Sequence, residues 1–225
     1  MRRLLSFLSG KLRRRTLLFL ILPAIVVSYF GALATALRLF PGRFAWRSET
    51  ISKLLDPLGN PRAYWIVSAG IALAGWFAIP FAGYIGRRLR SAAPLGSQIG
   101  AVIFGSGAAG AVLSGLVAYH GDSRFPRLHT LLARGSALAL GMGKIAFWTC
   151  ALVGRVRSPA GRLRYRPALV FGWTLLILSG PAAAVLSALA MEHRIRGQAG
   201  LWEWIASAVL FLFLLLSAWL LPGEA

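Results

Sequence analysis

Carboxylates are scarce in this chain of 225 residues: six Asp and Glu stand against 25 Lys and Arg, giving a formal net charge of +19. None lies in the middle of an apolar run, which argues against the intramembrane acid relays of proton-coupled carriers. There is one cysteine, Cys150, so an internal disulfide and a thiolate metal cluster are both excluded, and the residue is expected to pack as a small apolar side chain. Histidine occurs three times, at His120, His129 and His193, never in a close-set pair such as His-x-x-x-His. Charged residues of all kinds make up only 14% of the chain, against 57% hydrophobic and a mean hydropathy of +0.68. That leaves too little polar surface for a water-soluble domain of this length. Internal repeats and low-complexity linkers are absent, and the longest connection, Arg38 to Ala63, is too short for a domain of its own.

What fills the chain instead is apolar helix. Crossing about 30 Å of hydrocarbon at 1.5 Å per residue takes roughly 20 apolar residues. Six such runs occur, at about Thr16–Leu37, Tyr64–Gly86, Gln98–Tyr119, Thr130–Gly154, Pro167–Met191 and Leu201–Leu221. The expected fold is an all-α, polytopic membrane helix bundle of six transmembrane helices over residues 16–221, with an outer loop at 38–63. A basic segment, 1–15, precedes it and a short tail, 222–225, follows. Pro23, Pro80 and Pro181 fall inside runs, as membrane helices tolerate.

Arginine sets the orientation. The N-terminal segment, the second loop (Arg87, Arg88, Arg90) and the fourth loop (Arg155, Arg157, Arg162, Arg164, Arg166) share one side, and Glu224 is the sole acid there. Glu49, Asp56, Asp122, Glu192, Glu203 and all three histidines share the other. The positive-inside rule then places both termini in the cytoplasm of a multi-pass cell-membrane protein. The basic loops are expected to meet membrane lipids, with anionic headgroups at the cytoplasmic face, and no nucleic acid. The first fifteen residues read either as an interfacial helix, with Leu4, Leu5, Phe7, Leu8 and Leu12 toward lipid, or as a disordered tail. Gly31-Ala32-Leu33-Ala34 imitates a signal-peptide cleavage site, but the apolar run continues to Leu37 and an uncleaved span is expected.

The third run is rich in small residues four apart: Gly96/Gly100, Ser106/Gly110 and Gly110/Ser114. Such a stripe lets helix backbones approach closely, so this span is expected at the centre of the bundle, with a homodimer or a membrane-protein partner as the alternative use. Ser106 lies between glycines like a rhomboid-protease serine, yet Phe104 stands two residues before it and no later span carries a buried histidine to activate it. Two cations fall within the fourth run. Arg134, near its outer end, would snorkel, pair with Glu203 or hold a lipid headgroup; Lys144 is the buried charge, lining a polar cavity or reaching toward phosphates.

On the outer side, Ser48 reads as the N-cap of a helix lying on the membrane through an apolar face of Ile51, Leu54 and Leu55, ended by Asp56-Pro57 and Gly59-Asn60-Pro61. Trp46, Trp65, Trp202 and Trp204 fit as interfacial anchors. The junction Tyr119-His120-Gly121-Asp122, followed by His129, brings an imidazole, an orienting carboxylate and a second imidazole together. Those groups, with Ser48 and Ser52, are the candidate catalytic set, because a His–Asp pair can activate water or a serine. His120, His129 and His193 are the candidate metal ligands, enough for a catalytic zinc with one open position. Arg124, Arg127 and Arg134 are the candidate contacts to a lipid headgroup.

The Ser-x-x-x-Ser segment (Ser48, Ser52), the Asn60-Pro61 turn before the second span and the histidine-bearing junction (His120, His129) together resemble the Frag/DRAM/Sfk-type membrane proteins and the related prokaryotic family called domain of unknown function 998. That resemblance implies a lipid-related role, since its eukaryotic members are associated with lipid remodelling, glycolipid-anchor maturation and membrane lipid organisation. The serine, aspartate and histidine content is also similar to membrane-embedded zinc hydrolases such as alkaline ceramidases, although the seventh span and the final His-x-x-x-His pair of that family are missing. Three readings follow. The preferred one is a non-catalytic membrane protein that organises or senses lipid or stabilises a partner, with no cofactor. The second is an outward-facing lipid hydrolase or acyl-remodelling enzyme, with zinc as its alternative cofactor. The third is a transporter with Lys144 at its midplane.

Overall fold

The computed structural model describes residues 6–117, 125–157, 171–177 and 199–221. These are helical with no strand among them, and five helices are long and apolar enough to cross a membrane. The chain is a helical membrane protein. The long helices are α1 (Arg14–Leu39), α2 (Tyr64–Leu89), α3 (Pro94–Leu116), α4 (Phe125–Arg157) and α5 (Ala199–Leu220). Residues 171–177 are also helical; the rest of the expected span Pro167–Met191 lies outside the described residues.

Helix α1 is continuous but loosens into i→i+5 turns at Leu17–Ile21 and Val27–Gly31, on either side of Pro23. Proline has no N–H for the ladder and crowds the preceding turn, and the wider turn, in which Leu22 N–H reaches Leu17 O, absorbs that misfit. Helix α3 starts at Pro94, four residues before the hydropathic run, because proline is favoured in a helix's first turn where its missing N–H costs nothing.

The stripe on α3 does what its spacing implies. A Cβ on Gly107 would come within 2.7 Å of Leu140 N, and one on Gly115 within 2.8 Å of Ser68 O, so α3 lies backbone to backbone against α4 on one side and α2 on the other. Neighbours reciprocate: a Cβ on Gly75 would meet Ala108 O at 2.7 Å, and one on Gly143 would meet Phe104 Cβ at 2.6 Å. Ser136 Oγ donates to Gly107 O at 2.7 Å across the α3–α4 contact. Ser106, by contrast, is exposed and donates to Ile103 O of its own helix.

The remaining space is filled by aromatics. Phe81, Phe104, Phe147, Phe213 and Trp173 are all fully buried, with Phe104 central at 6.0–6.4 Å from three of the other rings. Cys150 is buried beside them and packs as a small residue, touching the α3 backbone at Gly96. Phe19, Val27, Val102, Leu131 and Trp219 point outward, as lipid-facing positions should.

Helices α1 and α5 are antiparallel and tied at both ends. Near the arginine-rich end an Arg14 guanidinium nitrogen donates to Trp219 O at 2.7 Å. At the other end Leu201 N–H donates to Arg47 O, and midway Tyr29 Oη and Ser207 Oγ share a hydrogen bond of 2.8 Å.

Candidate functional site

The outer loop is a packed cap. Its only helical turn is a 3₁₀ turn at Ile51–Leu55, capped by Thr50 with no side-chain bond, so the expected cap at Ser48 is corrected: exposed Ser48 makes a long bond (3.4 Å) to Ala45 O instead. Ile51, Leu54 and Leu55 are buried against Leu33, Ala36, Ala63 and Val67, and so face the bundle. Asn60 is fully buried; its Nδ2 donates to Leu54 O at 3.0 Å while its main-chain carbonyl accepts from the N–H groups of Ala63 and Tyr64. Asp56 closes the preceding turn through Leu58 N–H. The Gly59-Asn60-Pro61 turn therefore shapes the loop and starts α2.

Helix α5 docks under this loop. Glu203 Oε2 accepts from Ile51 N–H at 2.7 Å, and a Cβ at Gly200 would sit 2.2 Å from Glu49 O and 2.6 Å from Trp46 O. Glu203 is thus spent on the loop and does not pair with Arg134. Arg134 is exposed and makes no ion pair, because the single ion pair among the described residues joins Lys53 and Glu49. Glu49 also accepts from Ala45 N–H at 2.8 Å, and the Lys53 hydrogen bond is the main cause holding its carboxyl below the usual range.

Of the candidate catalytic and metal groups, His120, Asp122 and His193 lie outside the described residues, as does Arg124. His129 is buried, and its Nδ1 lies 3.1 Å from Ser114 O. A carbonyl only accepts, so Nδ1 carries the proton there, and the bond fastens the start of α4 to the end of α3. Neither Ser48 nor Ser52 is hydrogen-bonded to His129. Arg127 is exposed on the first turns of α4.

Lys144 is only 9% exposed, deep in α4, with its ammonium 6.0 Å from the Phe213 ring centroid. Neither a hydrogen bond nor an ion pair reaches it from the described residues, and the aromatic face is its nearest electrostatic partner. Among the described residues, then, its surroundings include an aromatic face from α5.

A hollow among the described residues lies at the other end, and the sequence did not mark it. It is an open groove of about 650 Å³ between residues 8–11, the last turns of α2 and the first half of α3. Lys11, Arg87, Arg90 and Gln98 line one part; Ile79, Ala101, Val102 and Gly105 line the other. Arg87 follows Ile79 by eight residues on α2, about 12 Å along the axis, so the groove runs from a cationic mouth into hydrocarbon depth. Among the described residues, no Asp or Glu is in its wall.

Residues 6–12 build that wall. Gly10 N–H bonds Phe7 O and Lys11 N–H bonds Ser6 O, a Schellman ending in which Gly10 takes the left-handed conformation with φ 72°. Phe7 and Leu12 pack against the bundle core, not toward lipid as an interfacial helix would have them. Gly10 lies directly on α2: a Cβ there would be 2.0 Å from Tyr84 N, and a Cβ on Gly83 would be 2.7 Å from Ser9 O. The sequence signal was a glycine just after a short apolar helical turn, paired with a second glycine in the last turns of α2.

Compared with known proteins, the chain matches no family model, no curated protein and no solved structure.

Proposed function

We propose that this is a six-span protein of the cell membrane, both termini cytoplasmic, whose role is to hold and organise lipid without catalysing a reaction. The groove that joins a cationic mouth to an apolar floor is the observation that carries this reading, because a lipid is the common molecule with that polarity over that length. Six spans are supported by the ties between α1 and α5. The Arg14–Trp219 bond joins the start of α1 to the end of α5, and the Arg47–Leu201 bond joins the loop after α1 to the start of α5. Helix α4 runs toward the Arg14 side while α5 starts at the opposite side, which supports one further crossing between them. The arginine bias supports the orientation. Native mass spectrometry of the detergent-purified chain tests the function: lipid retained through delipidating washes is expected, and a lipid-free protein that keeps its fold would refute it.

The outer-face hydrolase remains the second reading. Its described part is His129, whose ring is oriented through Nδ1–H by a backbone carbonyl, as metal-ligating histidines commonly are. Zinc at near-stoichiometric content that disappears in His120→Ala would favour it over the lipid-organising role.

A further inference from the structure

The geometry points to the groove as a site for one anionic glycerophospholipid of the arginine-side leaflet. Its phosphate lies among Lys11, Arg87 and Arg90, and an acyl chain runs against Ile79, Val102 and Gly105. This inference rests on the lipid-organising reading and adds to it the class of lipid and the place where it is held.

The size of the groove comes first. About 650 Å³ falls inside the roughly 300–1,000 Å³ of pockets that hold small molecules. Room is made by glycine: a Cβ on Gly105 would find its nearest neighbour 4.0 Å away, whereas at Gly86, on the inner edge, it would collide with Ala101 Cβ at 2.7 Å. The helices touch at Gly86 and leave the Gly105 side open. Val102, 72% exposed, opens the floor to surrounding lipid, so an acyl chain enters sideways without leaving the hydrocarbon.

Charge selects the headgroup. Lys11, Arg87 and Arg90 are exposed and form no ion pair among the described residues, while Arg88 beside them lies over the Tyr84 ring at 5.0 Å. Three cations converging without a carboxylate repel one another, and a phosphodiester bearing net negative charge relieves that repulsion. A choline headgroup carries a phosphate too, but its ammonium would add a fourth cation to a wall whose described residues offer it no acid or aromatic face. Anionic lipid is favoured over zwitterionic lipid on that ground.

The N-terminal segment then has a specific task. It contributes Leu8, Ser9 and Lys11 to the wall, and it is held there by the contact of Gly10 with the α2 backbone at Gly83 and Tyr84. Gly10→Val would force a left-handed valine into the α2 main chain and lift that wall away.

The test is a competition in nanodiscs of mixed phosphatidylglycerol and phosphatidylcholine, using the full chain, with retained lipid read by native mass spectrometry. Wild type should keep one phosphatidylglycerol in preference to phosphatidylcholine. Replacing two surface cations near the membrane, Arg87→Gln with Arg90→Gln, should lower that preference about 30-fold without changing the melting temperature. Gly10→Val should lower retention while both arginines remain. Equal retention of the two lipids by wild type, or full preference surviving in the double variant, overturns the assignment of this site and leaves the broader lipid reading standing. Retention of neither lipid by a folded wild type overturns both.

Discussion

The two ends of the bundle handle polar groups in opposite ways. At the outer end Glu203, Asn60, Asp56 and Glu49 are each spent on a backbone N–H or C=O of the same cap, and Gly200 brings α5 into contact with that loop. At the arginine-rich end the side chains of Lys11, Arg87 and Arg90 line an open groove and form no ion pair among the described residues. Buried polar groups must be satisfied or they cost stability, so a closed end with internal partners is a structural device. Cations that stay open at a membrane surface cost little to maintain and remain available to phosphate. Under the proposed lipid reading, stability belongs to one end and binding to the other.

The sharpest way to break this division is a pair of glycine substitutions. Gly200→Leu drives a side chain into Glu49 O and Trp46 O and should destabilise the bundle by about 3 kcal/mol, the upper range for overpacking. Gly105→Leu enters open space in the groove and should change stability by less than about 0.5 kcal/mol while lowering lipid retention. Reversible unfolding in mixed micelles, run beside lipid analysis, checks both, and equal destabilisation by the two would erase the contrast. Next in size is Asn60→Ala, which removes the bond to Leu54 O inside the cap and should cost about 1–2 kcal/mol with lipid binding unchanged. Glu203→Leu leaves Ile51 N–H without its acceptor and should cost a similar amount, whereas Glu203→Gln keeps an acceptor oxygen and should cost less.

The smallest effect is in pH. Glu49 has its carboxyl lowered in the folded state, first by the Lys53 hydrogen bond and also by Ala45 N–H. A lowered folded value means that its contribution is complete above the ordinary carboxylate range and fades as pH falls through the lowered one. Because the pair is a partly exposed i,i+4 contact, that contribution is below about 0.5 kcal/mol. Melting curves taken between about pH 5 and pH 3 should flatten slightly in Glu49→Gln.

Much of the scaffold could be read from hydropathy, since apolar length is set by bilayer thickness alone. The expected first span, Thr16–Leu37, lies within α1, and the small-residue stripe that pointed to close packing of the third span meets the backbones of both α2 and α4. Boundaries moved where local chemistry overrode hydropathy: Pro94 opened α3 early, and Val117 leaves the helical conformation (φ −83°, ψ 91°) before the apolar run ends. The outer loop was read correctly for which residues share an apolar face, and wrongly for where that face points and for its cap: Ile51, Leu54 and Leu55 turn into the bundle and not onto the membrane, and Ser48 precedes the turn that Thr50 starts. Lys144 was visible as an odd charge, but its aromatic neighbour comes from α5 and is brought there only by the fold. The groove was illegible for the same reason. Lys11, Arg87 and Gly105 are far apart in sequence, and their convergence depends on Gly10 meeting Gly83.

The most direct test of the central claim is photocrosslinking with phosphatidylglycerol carrying a diazirine on its acyl chain, mapped by peptide mass spectrometry on the full chain in nanodiscs. The account predicts labelling concentrated on the α2 and α3 peptides that contain Ile79 and Val102, and lost in Arg87→Gln with Arg90→Gln. Labelling spread evenly over outward-facing residues such as Phe19, Leu131 and Trp219, and unchanged in the double variant, would contradict it.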